Sequence, residues 1–126
     1  MIISLPLQVY ISPKKKFILN LNNYRNAHFR VLAKAKKIYT ENLLYKLKNA
    51  PKFITVSLRY RYYHGSRGKI DISNPCSIID KFACDALVKS GVLPEDNYNN
   101  VVRVVYEWGG VDKENPRCEL SIIAIE

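Results

Sequence analysis

The clearest alternation of apolar and polar side chains runs from Lys52 to Tyr63. Because successive side chains of a strand point to opposite faces, this alternation predicts a strand with one buried and one exposed face. Tyr60 and Tyr62 fall on the predicted core face, whereas Arg59 and Arg61 fall on the exposed one. Two arginines on one face suit contacts with successive phosphates, although solvated charges on an exposed strand give the same pattern.

Helical periodicity predicts a long first helix. It begins at Asn22 or Asn23, either of which can cap it, and continues to about Lys48, where Asn49 and Pro51 end it. Lysines lie off its apolar stripe, which predicts an amphipathic helix with a basic face. The stripe comprises Phe29, Leu32, Ala33, Ala35, Ile38, Tyr39, Leu43 and Leu47.

A second helix is predicted from the dipeptide Asn74-Pro75, with the asparagine as N-cap and the proline at the first helical position. The helix continues to Ser90, where Gly91 ends it because glycine readily adopts the left-handed conformation that follows many helices. The residues of its buried stripe are Ile78, Ile79, Phe82, Ala83, Ala86 and Leu87.

Three further segments have the composition of strands. They are Ile2 to Tyr10, Val101 to Trp108 and Cys118 to Ile125. A turn containing Gly109-Gly110 and Asn115-Pro116 separates the last two, which predicts an antiparallel hairpin. Together the elements predict an α+β fold in which a small mixed or antiparallel sheet packs against two helices.

The length of 126 residues and the apolar fraction of 48% predict one globular domain, residues 1–126. The three cysteines show no CxxC spacing, which favours buried free thiols in a reducing compartment over a disulfide framework or a zinc site. The apolar N-terminus MIISLPLQVY is too short for a membrane span. We therefore expect a cytoplasmic protein with no membrane partner.

Charge is distributed unevenly along the chain. Residues 1–69 hold 15 lysines and arginines and a single acidic residue, Glu41, for a local balance of +14. Residues 70–126 hold 5 lysines and arginines and 10 acidic residues, for a balance of −5, and the whole chain carries +9. Such asymmetry is typical of nucleic-acid binding, although a merely soluble basic surface gives the same totals.

Acidic residues cluster around the second helix, at Asp71, Asp80, Asp85, Glu95 and Asp96. Carboxylates before, on and after a helix can converge on one Mg²⁺ ion, which prefers a sparse oxygen shell completed by water and substrate phosphate. In an α-helix Asp80 and Asp85 point about 140° apart, so both cannot face one site.

Asp85 is therefore the first choice as a metal ligand and Asp80 the reserve, because Asp85 lies only about 40° from Lys81 on the same helix face. An alternative explanation needs no metal. In it Asp85 pairs with Lys81, Asp71 caps a turn, and Glu95 and Asp96 belong to a solvated loop.

The order of these motifs resembles the RusA family of Holliday-junction resolvases, which is common in bacteriophages and prophages. The matching residues are Asp71-Ile72-Ser73-Asn74, Lys81, Asp85-Ala86-Leu87, Gly91, Glu95-Asp96 and Asn20-Leu21-Asn22. Ser73 stands where the family has a second aspartate. Lys81 lies seven residues after Asn74, a spacing wider than that of the family by about one helical turn, and the insertion introduces Asp80.

The resemblance implies a RusA-like homodimeric endonuclease that cuts four-way or other branched DNA in recombination and repair, within a bacterial host cell if phage-encoded. It implies Mg²⁺, for which Mn²⁺ can substitute, held by Asp71, Asp85 and Asp96, with Asp80 as a replacement for the missing carboxylate. Lys81 would stabilise charge on the phosphate. The residues expected to hold DNA are Lys14, Lys15, Lys16, Lys34, Lys37, Arg59, Arg61, Arg67 and Lys69.

Two alternatives remain open from the sequence. Ser73 favours a protein that kept the fold but binds DNA or another protein without cutting it. The nine tyrosines suit a single-strand or RNA binder, although Tyr60 and Tyr62 fall on the core face and weaken that option. His28 and His64 are expected to have packing or surface roles rather than catalytic ones.

Overall fold

The computed structural model describes residues 1–125 of the chain. Over that range it contains the strands β1 (Ile2–Leu5), β2 (Gln8–Ser12), β3 (Lys15–Ile18), β4 (Val56–His64), β5 (Val101–Val111) and β6 (Arg117–Ala124), and the helices α1 (Leu21–Asn26), α2 (Phe29–Leu47) and α3 (Ser73–Lys89). None of the helices in this range is both long enough and apolar enough to cross a membrane.

The strands form two sheets. Four of them make a mixed sheet in the order β1-β6-β4-β5, in which β5 runs parallel to β4, whereas β6 runs antiparallel to both β4 and β1. Strands β2 and β3 form a separate antiparallel hairpin. The predicted α+β class with a mixed sheet is confirmed.

The predicted hairpin between the last two strands is wrong, because β4 lies between them. Tyr60 of β4 has Tyr106 of β5 on one side and Leu120 of β6 on the other. Strand β4 thus pairs with a neighbour on each edge, and the apolar side chains that alternate along it form the buried face of the sheet. The segment from Asp112 to Pro116 therefore crosses the end of β4 instead of closing a tight turn.

The predicted first strand is divided at Pro6 into β1 and β2, which belong to different sheets. Proline lacks a backbone N–H and cannot donate within a sheet ladder. Residues before Pro6 pair with β6, whereas residues after it form β2, which pairs with β3. The alternation of apolar residues continues across the break and therefore concealed it.

The predicted long first helix is also two helices, so the sheet is accompanied by three helices rather than two. The Asn20 side chain accepts a hydrogen bond from the Asn23 N–H at 2.8 Å and caps α1. His28 adopts an extended conformation and its Nδ1 accepts from the Arg30 N–H at 3.1 Å, capping α2. Phe29, assigned to the buried stripe, is 71% exposed because it lies in the first turn after this break.

The core lies between α3 and one face of the four-stranded sheet. The predicted apolar stripe of α3 is buried in full, and so are Leu58, Tyr60 and Tyr62 on the core face of β4. Phe82 of α3 joins the remaining layers, because its ring packs edge-on against Tyr39 of α2 and stacks with Phe17 of β3. All three cysteines are buried and free, as predicted.

Gly91 directly follows the α3 C-cap and has a φ angle of +81°, a conformation that a side chain disfavours. Gly91→Ala should lower the free energy of unfolding by about 1 kcal/mol, since a Cβ there would meet no atom within 4 Å and only the backbone conformation is strained. Urea denaturation measures the change. Gly68→Ala is the matched control, because Gly68 has no positive φ, and an equal loss in both variants would contradict the explanation.

Candidate functional site

A cavity of about 540 Å³ lies where β4 ends and the chain turns towards α3. The β2–β3 hairpin, the segment that enters α1 and the start of α3 supply its other walls. Apolar side chains form much of the lining, as in most small-molecule and active sites. Its polar lining residues are Gln8, Asn20, His64, Lys69, Asp71 and Asn74.

Asp71 lines this cavity and accepts hydrogen bonds from Ser73, the first residue of α3. Its Oδ1 accepts hydrogen bonds from the Ser73 N–H at 3.2 Å and from the Ser73 hydroxyl at 2.9 Å. The side chain therefore performs the turn-capping role that was the alternative to metal binding. Ser73 holds Asp71 in place as a hydrogen-bond donor.

Asn74 was expected to cap α3, and that prediction is wrong. The helix begins at Ser73, and the Asn74 Oδ1 accepts a hydrogen bond from the Leu21 N–H at 2.9 Å, which connects α3 to the first turn of α1. Asn20 and Asn74, distant in sequence, thus meet at one wall of the cavity.

His64 also lines the cavity, although the sequence indicated only a packing or surface role for it. It is the last residue of β4, and its Nδ1 lies 3.1 Å from the Tyr62 hydroxyl, within hydrogen-bonding distance. Its ring also lies beside Trp108, with the centroids 6.3 Å apart. A histidine at the end of a strand, just before a glycine-containing turn, was the available sequence signal, because strand ends commonly carry site residues.

Asp80 points towards the sheet and is held by three donors. Its Oδ1 accepts from the Tyr60 hydroxyl at 2.7 Å and from the Cys84 thiol at 3.3 Å, and its Oδ2 accepts from the Tyr106 hydroxyl at 3.0 Å. Burial raises the pKa of the Cys84 thiol, the nearby charge of Asp80 raises it further, and Asp96 makes a smaller contribution. Burial, followed by the charge of Asp80, likewise raises the pKa of Tyr106.

Asp85 and Lys81 lie on the opposite flank of α3, towards α1 and α2. The Asp85 carboxylate pairs with Lys36 of α2 at 3.7 Å, rather than with Lys81. Lys81 extends over the ring of Tyr24, with its ammonium 5.9 Å from the ring centroid. The expected divergence of Asp80 and Asp85 is confirmed by their different neighbours.

Asp71 and Asp96 lie at opposite ends of α3. A helix of 17 residues spans about 25 Å. Asp96 is exposed in the turn that leads into β5, beside the start of β4, whereas Asp71 is near the end of β4. In residues 1–125, no three Asp, Glu, His or Cys side chains lie close enough to share a metal ion. The expected convergence of Asp71, Asp85 and Asp96 is thus not found within one chain, and Mg²⁺ binding stays a prediction.

The basic residues expected to hold DNA are all on the surface. Lys14 lies in the turn of the β2–β3 hairpin, and Lys15 and Lys16 are the first residues of β3. Four other basic residues are exposed elsewhere: Lys34, Lys37, Arg67 and Lys69. Arg59 and Arg61 are exposed as predicted, but both contact Glu107 of β5, at 3.9 Å and 2.7 Å. Their charge is therefore partly compensated, which strand periodicity alone did not indicate.

The hydroxyl of Tyr106 is the only donor in the described residues that reaches the Oδ2 of Asp80. Tyr106→Phe should lower the free energy of unfolding by about 2 kcal/mol, because a half-buried carboxylate loses a charge-assisted hydrogen bond. Urea denaturation measures the loss. The control is Tyr98→Phe, since Tyr98 is 82% exposed, and a similar loss in both variants would show that the bond to Asp80 is unimportant.

The protein should lose stability at alkaline pH. Burial raises the pKa values of Tyr39, Tyr60 and the Cys84 thiol above those of the unfolded chain, so these groups stay protonated in the folded state. A group whose pKa is higher in the folded than in the unfolded chain makes its full contribution to stability below its unfolded pKa. That contribution is lost as the pH rises further. The free energy of unfolding should therefore fall from about pH 8.5 upwards, where thiols and then tyrosines ionise in the unfolded chain.

Urea denaturation at a series of pH values tests this expectation. The Cys84→Ala variant should show a smaller fall between about pH 8 and about pH 10, because it lacks one of the thiols that ionise there in the unfolded chain. A stability that is constant over this interval in the unmodified protein would contradict the proposed protonation states.

Comparison of this chain with models of known protein families gives no match, and comparison with curated protein sequences gives none either. Neither comparison identifies a family. The function is therefore argued from the cavity, the carboxylates and the basic surface described above.

Proposed function

We propose that this protein binds DNA through contacts with the phosphate backbone. The observation that supports this proposal most directly is the excess of uncompensated positive charge. Of the 15 lysines and arginines in residues 1–69, only Lys36, Arg59 and Arg61 have a carboxylate within 4.0 Å in the described part of the chain. Cations without internal partners are available to displace the counterions of a polyanion.

The arrangement of these cations favours an extended ligand over a small one. The β2–β3 hairpin carries three consecutive lysines, Lys14 to Lys16, and α2 presents Lys34 and Lys37 on its exposed face. Basic residues on separate elements match the repeated charge of a nucleic-acid backbone better than they match a single anion.

Branched DNA is the substrate class that we infer from the motif resemblance to RusA resolvases. A four-way junction has two-fold symmetry, so recognition of both sides calls for a symmetric dimer. The protein would then act in recombination or repair, in the cytoplasm of a bacterial host. The charge distribution is the argument for DNA binding. The resemblance is the argument for a branched substrate and for a homodimer.

Phosphodiester cleavage is a second candidate function, favoured by one specific observation. Asp71, His64 and Lys69 line the same cavity, which combines a carboxylate, an imidazole and an amine. The carboxylate suits a Mg²⁺ ion, and the amine suits a phosphate. Since Asp71 is the only carboxylate that lines this cavity among residues 1–125, a metal-dependent reaction would need further ligands from a second subunit.

Lysine-to-glutamine substitution in the hairpin tests DNA binding. The triple variant Lys14→Gln, Lys15→Gln, Lys16→Gln should bind duplex and junction DNA more weakly, and the slope of log affinity against log salt should decrease by about three. Fluorescence anisotropy with labelled DNA measures both quantities. Lys113→Gln, an exposed change in the acidic half of the chain, should leave the slope unchanged.

An unchanged slope in the triple variant, or equal losses in both variants, would contradict phosphate contacts by the hairpin. Comparison of a four-way junction with a linear duplex of equal length tests the branched substrate. Equal affinity for both would remove the argument for junction recognition and leave general DNA binding.

Cleavage is tested on the same junction, incubated with Mg²⁺ or with EDTA. Symmetric nicks that require Mg²⁺ and are lost in Asp71→Asn would support the nuclease. Asp71→Ser is a less suitable variant, because the Asp71 side chain also accepts hydrogen bonds from Ser73, and asparagine preserves an oxygen that can accept them. Tight binding without product would leave the protein as a binder that does not cut.

A further inference from the structure

The β2–β3 hairpin has one buried face and one exposed face. Val9, Ile11 and Phe17 point inward and are buried, and the ring of Phe17 stacks with that of Phe82 in α3. Because these side chains belong to the core, they hold the hairpin firmly against the rest of the domain. The side chains that alternate with them therefore point outward from a fixed support.

The outward face of the hairpin carries an aromatic ring beside several cations. Tyr10 is 57% exposed and lies directly opposite Lys16 in the strand register. Lys14 in the turn and Lys15 at the start of β3 lie beside this pair, and all three lysines are exposed. None of the three has a carboxylate within 4.0 Å in residues 1–125. This face thus combines a flat apolar surface with positive charge that the chain does not neutralise.

Tyr10 has no side-chain partner of its own within the described part of the domain. Three other tyrosines, Tyr39, Tyr60 and Tyr106, each donate a hydrogen bond to a distant part of the chain. Among residues 1–125, the Tyr10 hydroxyl makes no such bond, and its ring takes part in no stacked, edge-on or cation–π contact. An exposed ring that the fold does not use is available to a ligand.

We propose that the outward face of the β2–β3 hairpin binds an unpaired strand of DNA. One base stacks on the ring of Tyr10, and the adjoining phosphates contact Lys16 and the two lysines nearer the tip. Aromatic rings beside a row of cations bind single strands without regard to sequence, because every base has a flat face that can stack. A paired base lies between its neighbours in the duplex, so only an unpaired base is free to cover Tyr10.

The same face of the hairpin continues from the lysines to the cavity at the end of β4. Gln8 and Ile18 form the next outward cross-strand pair after Tyr10 and Lys16, and both of them line that cavity. Ile18 is 41% exposed and extends the apolar surface of this face. An unpaired strand held at Tyr10 can therefore continue into the cavity, where Lys69 offers a further contact for phosphate. Hairpin and cavity together suit a strand of several nucleotides.

This inference rests on the proposed binding of DNA and names the kind of strand that the hairpin holds. Fluorescence anisotropy at one salt concentration compares a labelled duplex with the same duplex carrying a single-stranded thymidine tail. The tail should tighten binding by about tenfold, the effect of stacking one base on an aromatic ring. Equal affinity for both DNAs would overturn the inference and leave duplex binding in place, whereas failure to bind either DNA would also contradict the proposed function.

A tail of abasic nucleotides is the matched DNA control, because it keeps the phosphates of the thymidine tail and lacks its bases. It should give little of the tenfold gain, since nothing can stack on Tyr10. An abasic tail that tightens binding as much as the thymidine tail would show that charge alone explains the gain, and would overturn the stacking contact.

Substitution of Tyr10 tests the residue itself. Tyr10→Ala and Tyr10→Leu should both lose the gain from the thymidine tail, and Tyr10→Leu still places an apolar side chain on the strand. Tyr10→Phe keeps the ring and should keep the gain. Tyr45→Ala is the control, because Tyr45 is also an exposed tyrosine beside a lysine, Lys46, but belongs to α2. Retention of the gain in Tyr10→Leu, or equal losses in Tyr45→Ala and Tyr10→Ala, would overturn the proposal.

Discussion

The packing of α3 across the four-stranded sheet determines the direction of nearly every charged group that the sequence singles out. The apolar stripe of this helix is buried in full, so its rotation about its own axis is fixed. Asp80 must then point towards β4 and β5, and Asp85 must point towards α2. The same packing sets the two ends of α3, with Asp71 at one and the Asp96 turn near the other.

These positions explain why carboxylates that are close in sequence have separate roles. Each of Asp71, Asp80 and Asp85 has donors or a cation from its own chain. A carboxylate withdrawn from water without such partners is costly, and its neighbours must supply hydrogen bonds. Asp80 is the clearest case, since two tyrosines and a thiol surround it. The lysines and arginines, in contrast, mostly lack a carboxylate partner within residues 1–125, which is the observation behind the proposed binding of DNA.

Strand β4 is the second organising element, because it has a neighbour on each side. It separates β5 from β6 and leaves β5 at the edge. Arg59 and Arg61 of β4 point to the face of the sheet opposite the core, where they are exposed and lie beside Glu107 of β5. The direction of these side chains and the position of β5 at the edge both follow from the central place of β4 in the sheet.

The sequence alone determined the elements that depend on local chemistry. Alternation identified the core face of β4, helical spacing identified the buried face of α3, and Gly91 identified the end of α3. Each of these signals depends on residues within a few positions of each other. The sequence also shows the unequal charge of the two halves of the chain, because net charge is counted directly from the residues. The break at His28 was concealed, since periodicity continued across it and the cap is a single side-chain contact.

Only the tertiary structure decided which strands are neighbours and which acids meet. Pairing of β4 with both β5 and β6 depends on burial shared between distant segments, and no local pattern encodes it. The cavity brings Asn20, His64 and Asp71 together from three separate elements, and Lys36 rather than Lys81 pairs with Asp85. These contacts are long-range in sequence, so they exist only once the apolar faces have packed.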